Sequence, residues 1–158
     1  MAILLSSSLT FAQTKKKYGF QGNVYAGVPV GMIASDSYLN TGFSVGYLGE
    51  VEEYFRVGGS IGYDYSFLKN SSHLPSERGF KYIMVGATAE LDVYQNFYFA
   101  ADLGYAFSQA KRTAGSHYIT PKIGYHFNED FNFYLHYKGV RYSFGQVASI
   151  GIGAAYKF

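Results

Sequence analysis

Acids, bases and imidazoles are sparse in this chain, and many of them fall at alternate positions. Asp64, Glu90 and Asp102, with Arg56, Lys122 and Lys138, stand on the small-residue side of alternating segments, and His126 and His136 share that side. Such a set could do three things. A carboxylate beside an imidazole could move protons. Histidine with carboxylates could hold a metal ion. An equal number of acids and bases could also neutralise one another in a confined interior, where every charge must be paired. Three acids against three bases point to the last, a salt-bridge and hydrogen-bond network filling a narrow lumen. A polar conduit through the same residues is the second reading. Neither a catalytic nor a metal site is expected, and no cofactor. His73 and His117 lack partners at ligand spacing. The triplet Asn70-Ser71-Ser72 matches a glycosylation acceptor, a pattern too short to carry weight. Gly58, Gly59, Gly151 and Gly153 are not followed by a helix, so they read as strand glycines rather than a phosphate loop.

The elements that position these residues are strands. Helical periodicity is nearly absent, and period-two alternation recurs. It is clearest at the C-terminus, where Ala148, Ile150, Ile152, Ala154, Tyr156 and Phe158 oppose Ser149, Gly151, Gly153, Ala155 and Lys157. Segments at 19–31, 41–49, 56–67, 81–92, 97–108, 117–127 and 131–138 follow the same rule, making eight strands with the last. Connections alternate in length. Tight ones are predicted around Glu50–Tyr54, Val93–Asn96 and Asn128–Asp130, and longer polar ones at about 32–40, 68–80, 109–116 and 139–146. An even strand number with this alternation describes an all-β, eight-stranded antiparallel up-and-down barrel. Pro29 and Pro121 fall inside assigned strands, where a bulge or an earlier strand end is expected to accommodate them.

Composition decides which face meets which solvent. Of 158 residues, 48% are hydrophobic, 20% aromatic and only 15% charged, with 17 Tyr, 14 Phe and 19 Gly. That excludes a disordered chain. No apolar run reaches the roughly 18 residues of a membrane helix. A net charge of +2 gives no global signal for nucleic acid, and zero cysteines exclude disulfides and thiolate chemistry. One face of the strands is Gly, Ser, Ala, Thr and Asn with isolated charges. The other is Phe, Tyr, Ile, Val and Leu with no charge at the strand centres. A water-facing surface would carry many more Lys and Glu. Lipid imposes the observed pattern, because Lys or Arg at mid-bilayer costs roughly 2–4 kcal/mol. About ten residues per strand at roughly 3.3 Å each, tilted near 40°, also span the apolar band of about 25 Å. The barrel is therefore expected to be transmembrane.

Residues 1–12 read as an export signal, with Ala2-Ile3-Leu4-Leu5 apolar and Thr10-Phe11-Ala12 as a small-x-small cleavage site. Residues 13–18 then form a basic tail containing Lys15-Lys16-Lys17, and 19–158 the barrel. The terminal Phe158 with Tyr156 two positions earlier resembles the C-terminal signature of bacterial outer-membrane barrels. The mature chain as a whole is similar to the small OmpA/OmpX-type, porin-like barrels of the Gram-negative outer membrane. That resemblance implies recognition of Tyr156 and Phe158 by the barrel assembly machinery, termini and tight turns in the periplasm, and longer loops outside. Bases cluster at the loop end (Lys69, Arg78, Lys81, Lys111, Arg112 and Arg141), whereas Glu50, Glu52, Glu53, Asp92, Glu129 and Asp130 crowd the tight turns. A basic rim suits lipopolysaccharide phosphates. The implied protein is a non-catalytic, monomeric structural or surface-interaction barrel with outer-membrane lipid and lipopolysaccharide as neighbours. A narrow passive pore is the alternative. A lipid A-modifying enzyme is less favoured: in lipid A deacylases a His and a Ser stand two residues apart on a late strand. Here His136 is followed two residues on by Lys138, and Ser143 has the wrong spacing.

Overall fold

The alternating segments become eight strands: β1 (Gly19–Val30), β2 (Ser37–Glu52), β3 (Phe55–Leu68), β4 (Gly79–Tyr94), β5 (Phe97–Ser108), β6 (Ser116–His126), β7 (Phe131–Tyr142) and β8 (Gly145–Lys157). A short 3-10 turn, Gly31–Ser35, links β1 to β2. The structure, a computed structural model, describes residues 19–69, 79–109, 115–142 and 145–158. The export signal at 1–12, the tail at 13–18, the triplet at 70–72, His73, Arg78, Lys111, Arg112 and Ser143 lie outside the described residues.

Each strand pairs antiparallel with its sequence neighbour, and β8 returns to β1, closing the barrel. Closure leaves no open edge, which a sheet in hydrocarbon requires. The stagger follows from the registers. A walk from Phe20 passes Tyr47, Gly59, Ala87, Leu103, Ile119, Gly139 and Ala148 and arrives at Val30, ten residues further along β1. Eight strands with that stagger tilt by about 40° to the axis. The same registers place every residue at a height along the barrel.

Polarity is inverted relative to a protein dissolved in water. Phe20, Val24, Ile61, Leu103, Ile123, Leu135 and Ile152 are exposed on the outer wall, whereas Arg56, Asp64, Glu90, His126, His136, Lys138 and Lys157 are buried inside. Aromatic rings band both ends of the wall. Near the tight turns, Phe20 meets Tyr47 at 5.3 Å, Phe97 meets Tyr125 at 5.1 Å, and Phe131 meets Tyr156 at 4.9 Å. Near the loops, Tyr65 meets Phe67 at 4.5 Å and Tyr105 meets Phe107 at 4.9 Å. Aliphatic residues fill the middle. Hydrocarbon flanked by two interfaces selects this arrangement.

Two expectations about the connections need correction. Residues 37–40 of the first long segment, and 139–142 with 145 and 146 of the last, are strand, and only the turn Gly31–Ser35 and Asp36 separate β1 from β2. Alternation continues into them: Ser37 and Asn40 are buried inside while Tyr38 is exposed, and Lys138 and Val140 are buried while Arg141 is exposed. The β7–β8 ladder still pairs Tyr142 with Gly145. The long connections are therefore those after β3 and β5. The prolines need no bulge. Pro29 pairs with Ser149 of β8, and the β1–β2 ladder has already ended at Gly27. Pro121 pairs with Ala101 of β5, while the ladder to β7 skips from Ile119 to Lys122. Each proline thus sits where one neighbour makes no demand on the missing N–H.

Candidate functional site

The lumen is stratified. At the short-turn end, strands β3, β4, β6, β7 and β8 deliver an ionic cluster. Arg56 donates through Nε to Glu90 at 2.9 Å and through its guanidinium to Asp92 at 2.6 Å. Lys157 Nζ reaches the same Glu90 oxygen at 3.1 Å. His126 lies 3.0 Å from Asp92 through Nε2 and 2.6 Å from the Asn132 side-chain oxygen through Nδ1. Glu90, Asp92 and His126 are close enough together to resemble a metal cradle. Arg56 already pairs with one oxygen of each carboxylate, and Lys157 with the same oxygen of Glu90, so cations of the chain itself offset their charge.

Above this cluster lies an apolar layer of Tyr98, Ala100, Tyr134 and Ala155. Each ring lies over the glycine paired with it on the neighbouring strand. A Cβ at Gly124 would overlap the Tyr98 ring, and one at Gly153 the Tyr134 ring. Next comes a mid-lumen chamber of about 30 Å³, bordered by Tyr25, Asp102, Tyr118, Lys122, His136 and Lys138 among others. Lys122 pairs with Asp102 at 2.6 Å, and Thr88 donates to the other Asp102 oxygen at 2.9 Å. His136 is buried, and neither ring nitrogen has a hydrogen-bond partner among the described residues.

The loop-end portion holds a second ionic centre built on one carboxylate. Asp64 pairs with Lys138, accepts from Asn40 Nδ2 at 2.5 Å and accepts from the Tyr25 hydroxyl at 2.8 Å. Asn40 also donates to Ser66 at 2.9 Å, and Lys138 Nζ sits 4.2 Å from the Tyr25 ring centre. Beside this hub, Tyr82, Met84, Ala106, Tyr118 and Val140 form an apolar cluster, with Phe80 and Val147 packed against it.

All eight expected lumen residues face inward, but they form separate groups rather than one network. Arg56, Glu90 and His126 belong to the lower cluster, Asp102, Lys122 and His136 to the chamber, and Asp64 and Lys138 to the hub. Sequence reasoning missed Asp92 and Lys157. The first stands beside the turn carboxylates in sequence and the second ends the C-terminal alternation. With them, four acids (Asp64, Glu90, Asp92, Asp102) face four bases (Arg56, Lys122, Lys138, Lys157) among the described residues, so the interior stays balanced. Tyr25, Asn40 and Asn132 are the uncharged members that were also missed.

Of the rim residues, Lys81 and Arg141 are exposed and share the outward phase near the loop end. Lys69 instead ties two connections together: its Nζ donates to the Ala34 carbonyl at 2.9 Å and its backbone N–H to Asp36 at 2.8 Å. His117 is on the outer wall, edge-on to Tyr105 at 5.3 Å. Tyr156 packs on Phe158 at 5.0 Å, and the Phe158 N–H donates to the Phe20 carbonyl at 2.9 Å, so the terminal aromatics lie on the seam that closes the barrel.

No protein-family model matches the chain, and no curated protein does. Solved structures match over nearly its whole length. Ail, the attachment invasion locus protein of Yersinia pestis, is 21% identical with a TM-score of 0.61, over 90% of this chain and 100% of that one. Neisserial surface protein A is 16% identical with a TM-score of 0.55, over 89% of this chain and 97% of that one. A de novo designed transmembrane β-barrel is 15% identical with a TM-score of 0.59, over 92% and 99%. The shared feature is the fold, a closed eight-stranded antiparallel barrel.

Proposed function

We propose that this chain is an outer-membrane barrel that anchors external loops, with a non-catalytic structural or surface-interaction role and a lumen that serves as a plug. The observation that carries this reading is the pairing of an apolar, aromatic-banded outer wall with a lumen filled by alternating ionic and apolar layers. An eight-stranded barrel is just wide enough for side chains to fill it. Recognition therefore falls to the loop end, with Lys81 and Arg141, joined by Lys69, Arg78, Lys111 and Arg112, meeting lipopolysaccharide phosphates. Attachment, the property for which Ail is named, is a role of this kind. Tyr156 and Phe158 would serve as the assembly signal, the termini would be periplasmic, and the barrel would act as a monomer. A narrow pore is the second reading, favoured only by the Asp102–Lys122 pair beside the chamber, which keeps slight exposure.

The chain has no cysteine, so orientation can be read with single introduced thiols. In intact Gram-negative cells, a membrane-impermeant maleimide should label Gln109→Cys, beyond β5, and should label Glu53→Cys, in the β2–β3 turn, only after lysis. The reverse pattern would overturn the orientation. Absence of both variants from the outer-membrane fraction would overturn the location.

A further inference from the structure

We propose that the mid-lumen chamber is a binding site for a single halide-sized anion, held by His136 between Lys122 and Lys138. Four charged groups form the two ion pairs nearest the chamber, and three of them border it. Lys122, Lys138 and Asp102 do so, whereas Asp64 lies outside, against the smaller recess toward the loops. Among the charged side chains that border the chamber, ammoniums therefore outnumber carboxylates two to one, Lys138 being paired with Asp64 beyond it. Each ammonium carries three N–H donors and has one carboxylate partner, Asp102 at 2.6 Å for Lys122 and Asp64 for Lys138. Both also sit over aromatic faces, at 5.1 Å from the Tyr134 ring centre and 4.2 Å from that of Tyr25. Among the described residues neither ammonium pairs with a second carboxylate.

His136 supplies the independent sign of a ligand. It is 4% exposed, and both of its ring nitrogens are buried without a partner among the described residues. Leaving a buried polar group of this kind unmatched is unfavourable, and an occupant would relieve it. Its ring stands between Tyr25 and Tyr134, with centroids at 5.3 and 5.9 Å, so packing holds it in place. The occupant must be small. A chamber of about 30 Å³ has room for about two water-sized species, which admits one halide and one water. An anion would accept from the imidazole N–H and from an ammonium N–H, while the water donates to the second ring nitrogen.

The test uses the native chain. Crystals grown in bromide should show an anomalous peak within hydrogen-bonding reach of His136. Protein refolded with chloride or with gluconate at equal ionic strength, with ¹⁵N-labelled histidine, should differ at His136 alone, with His117 and His126 unmoved. In His136→Phe, checked for folding by its heat-dependent gel shift, the bromide peak should be lost. Water density in the chamber with no anomalous signal would overturn the proposal. So would a response that is the same in chloride and gluconate.

Discussion

The two ends of the lumen use the same kinds of charge in different ways. At the short-turn end Arg56 bridges Glu90 and Asp92, Lys157 backs up Arg56 at Glu90, and His126 backs it up at Asp92. Every acid there has two partners. At the loop end one carboxylate, Asp64, serves Lys138, Asn40 and Tyr25 together. The first arrangement is redundant and the second is a hub. Removing one member of a buried ion pair is costly because the partner is left charged and dry. The difference therefore predicts unequal damage from chemically similar deletions.

Asp64→Ala should have the largest effect. It strands the Lys138 ammonium and two further donors, so a loss of about 3–5 kcal/mol is expected, read from urea titration of barrel refolded into vesicles. A charge moved through the wall gives the next effect. Lys138 is tolerated inside, whereas Leu135→Arg, near mid-height on the outer wall, should cost about 2–4 kcal/mol. Arg56→Ala should cost less, about 1–3 kcal/mol, because Lys157 and His126 still face Glu90 and Asp92. A result at least as severe as that of Asp64→Ala would contradict the contrast between hub and redundant cluster. Double-mutant cycles sharpen it: coupling between Lys138 and Asp64 should exceed coupling between Lys157 and Glu90. Smallest of all, Lys81→Ala should change stability in neutral lipid by about 0–1 kcal/mol. Its effect should appear only when anionic headgroups are present.

The barrel was legible in the sequence because side-chain direction in a strand has a period of two, and one solvent acts along the whole outer face. Alternation placed Asp64, Glu90, Asp102, Lys122 and Lys138 inside without any knowledge of their partners. It also carried a signal that was not followed far enough. The inward phase of Tyr82, Met84, Thr88 and Glu90 continues to Asp92, and that of Ala155 to Lys157. Both residues stand near strand ends, where a turn or a terminal pattern accounts for a charge equally well. The partners themselves were not legible. Lys138 and Asp64 are 74 residues apart and meet across the lumen, and Arg56 finds Asp92 36 residues away. Such contacts depend on stagger, and stagger is the sum of eight registers that no local pattern encodes. The layering into ionic and apolar levels follows from the same sum.

The central claim is that these layers close the lumen. Single-channel recording from the refolded native chain in a planar bilayer, with the heat-dependent gel shift confirming a closed barrel, tests it most directly. The account predicts a silent bilayer. Reproducible unitary conductance whose ion selectivity shifts in Lys122→Ala or Asp102→Ala would contradict it, because the chamber and its neighbouring layers would then be a path.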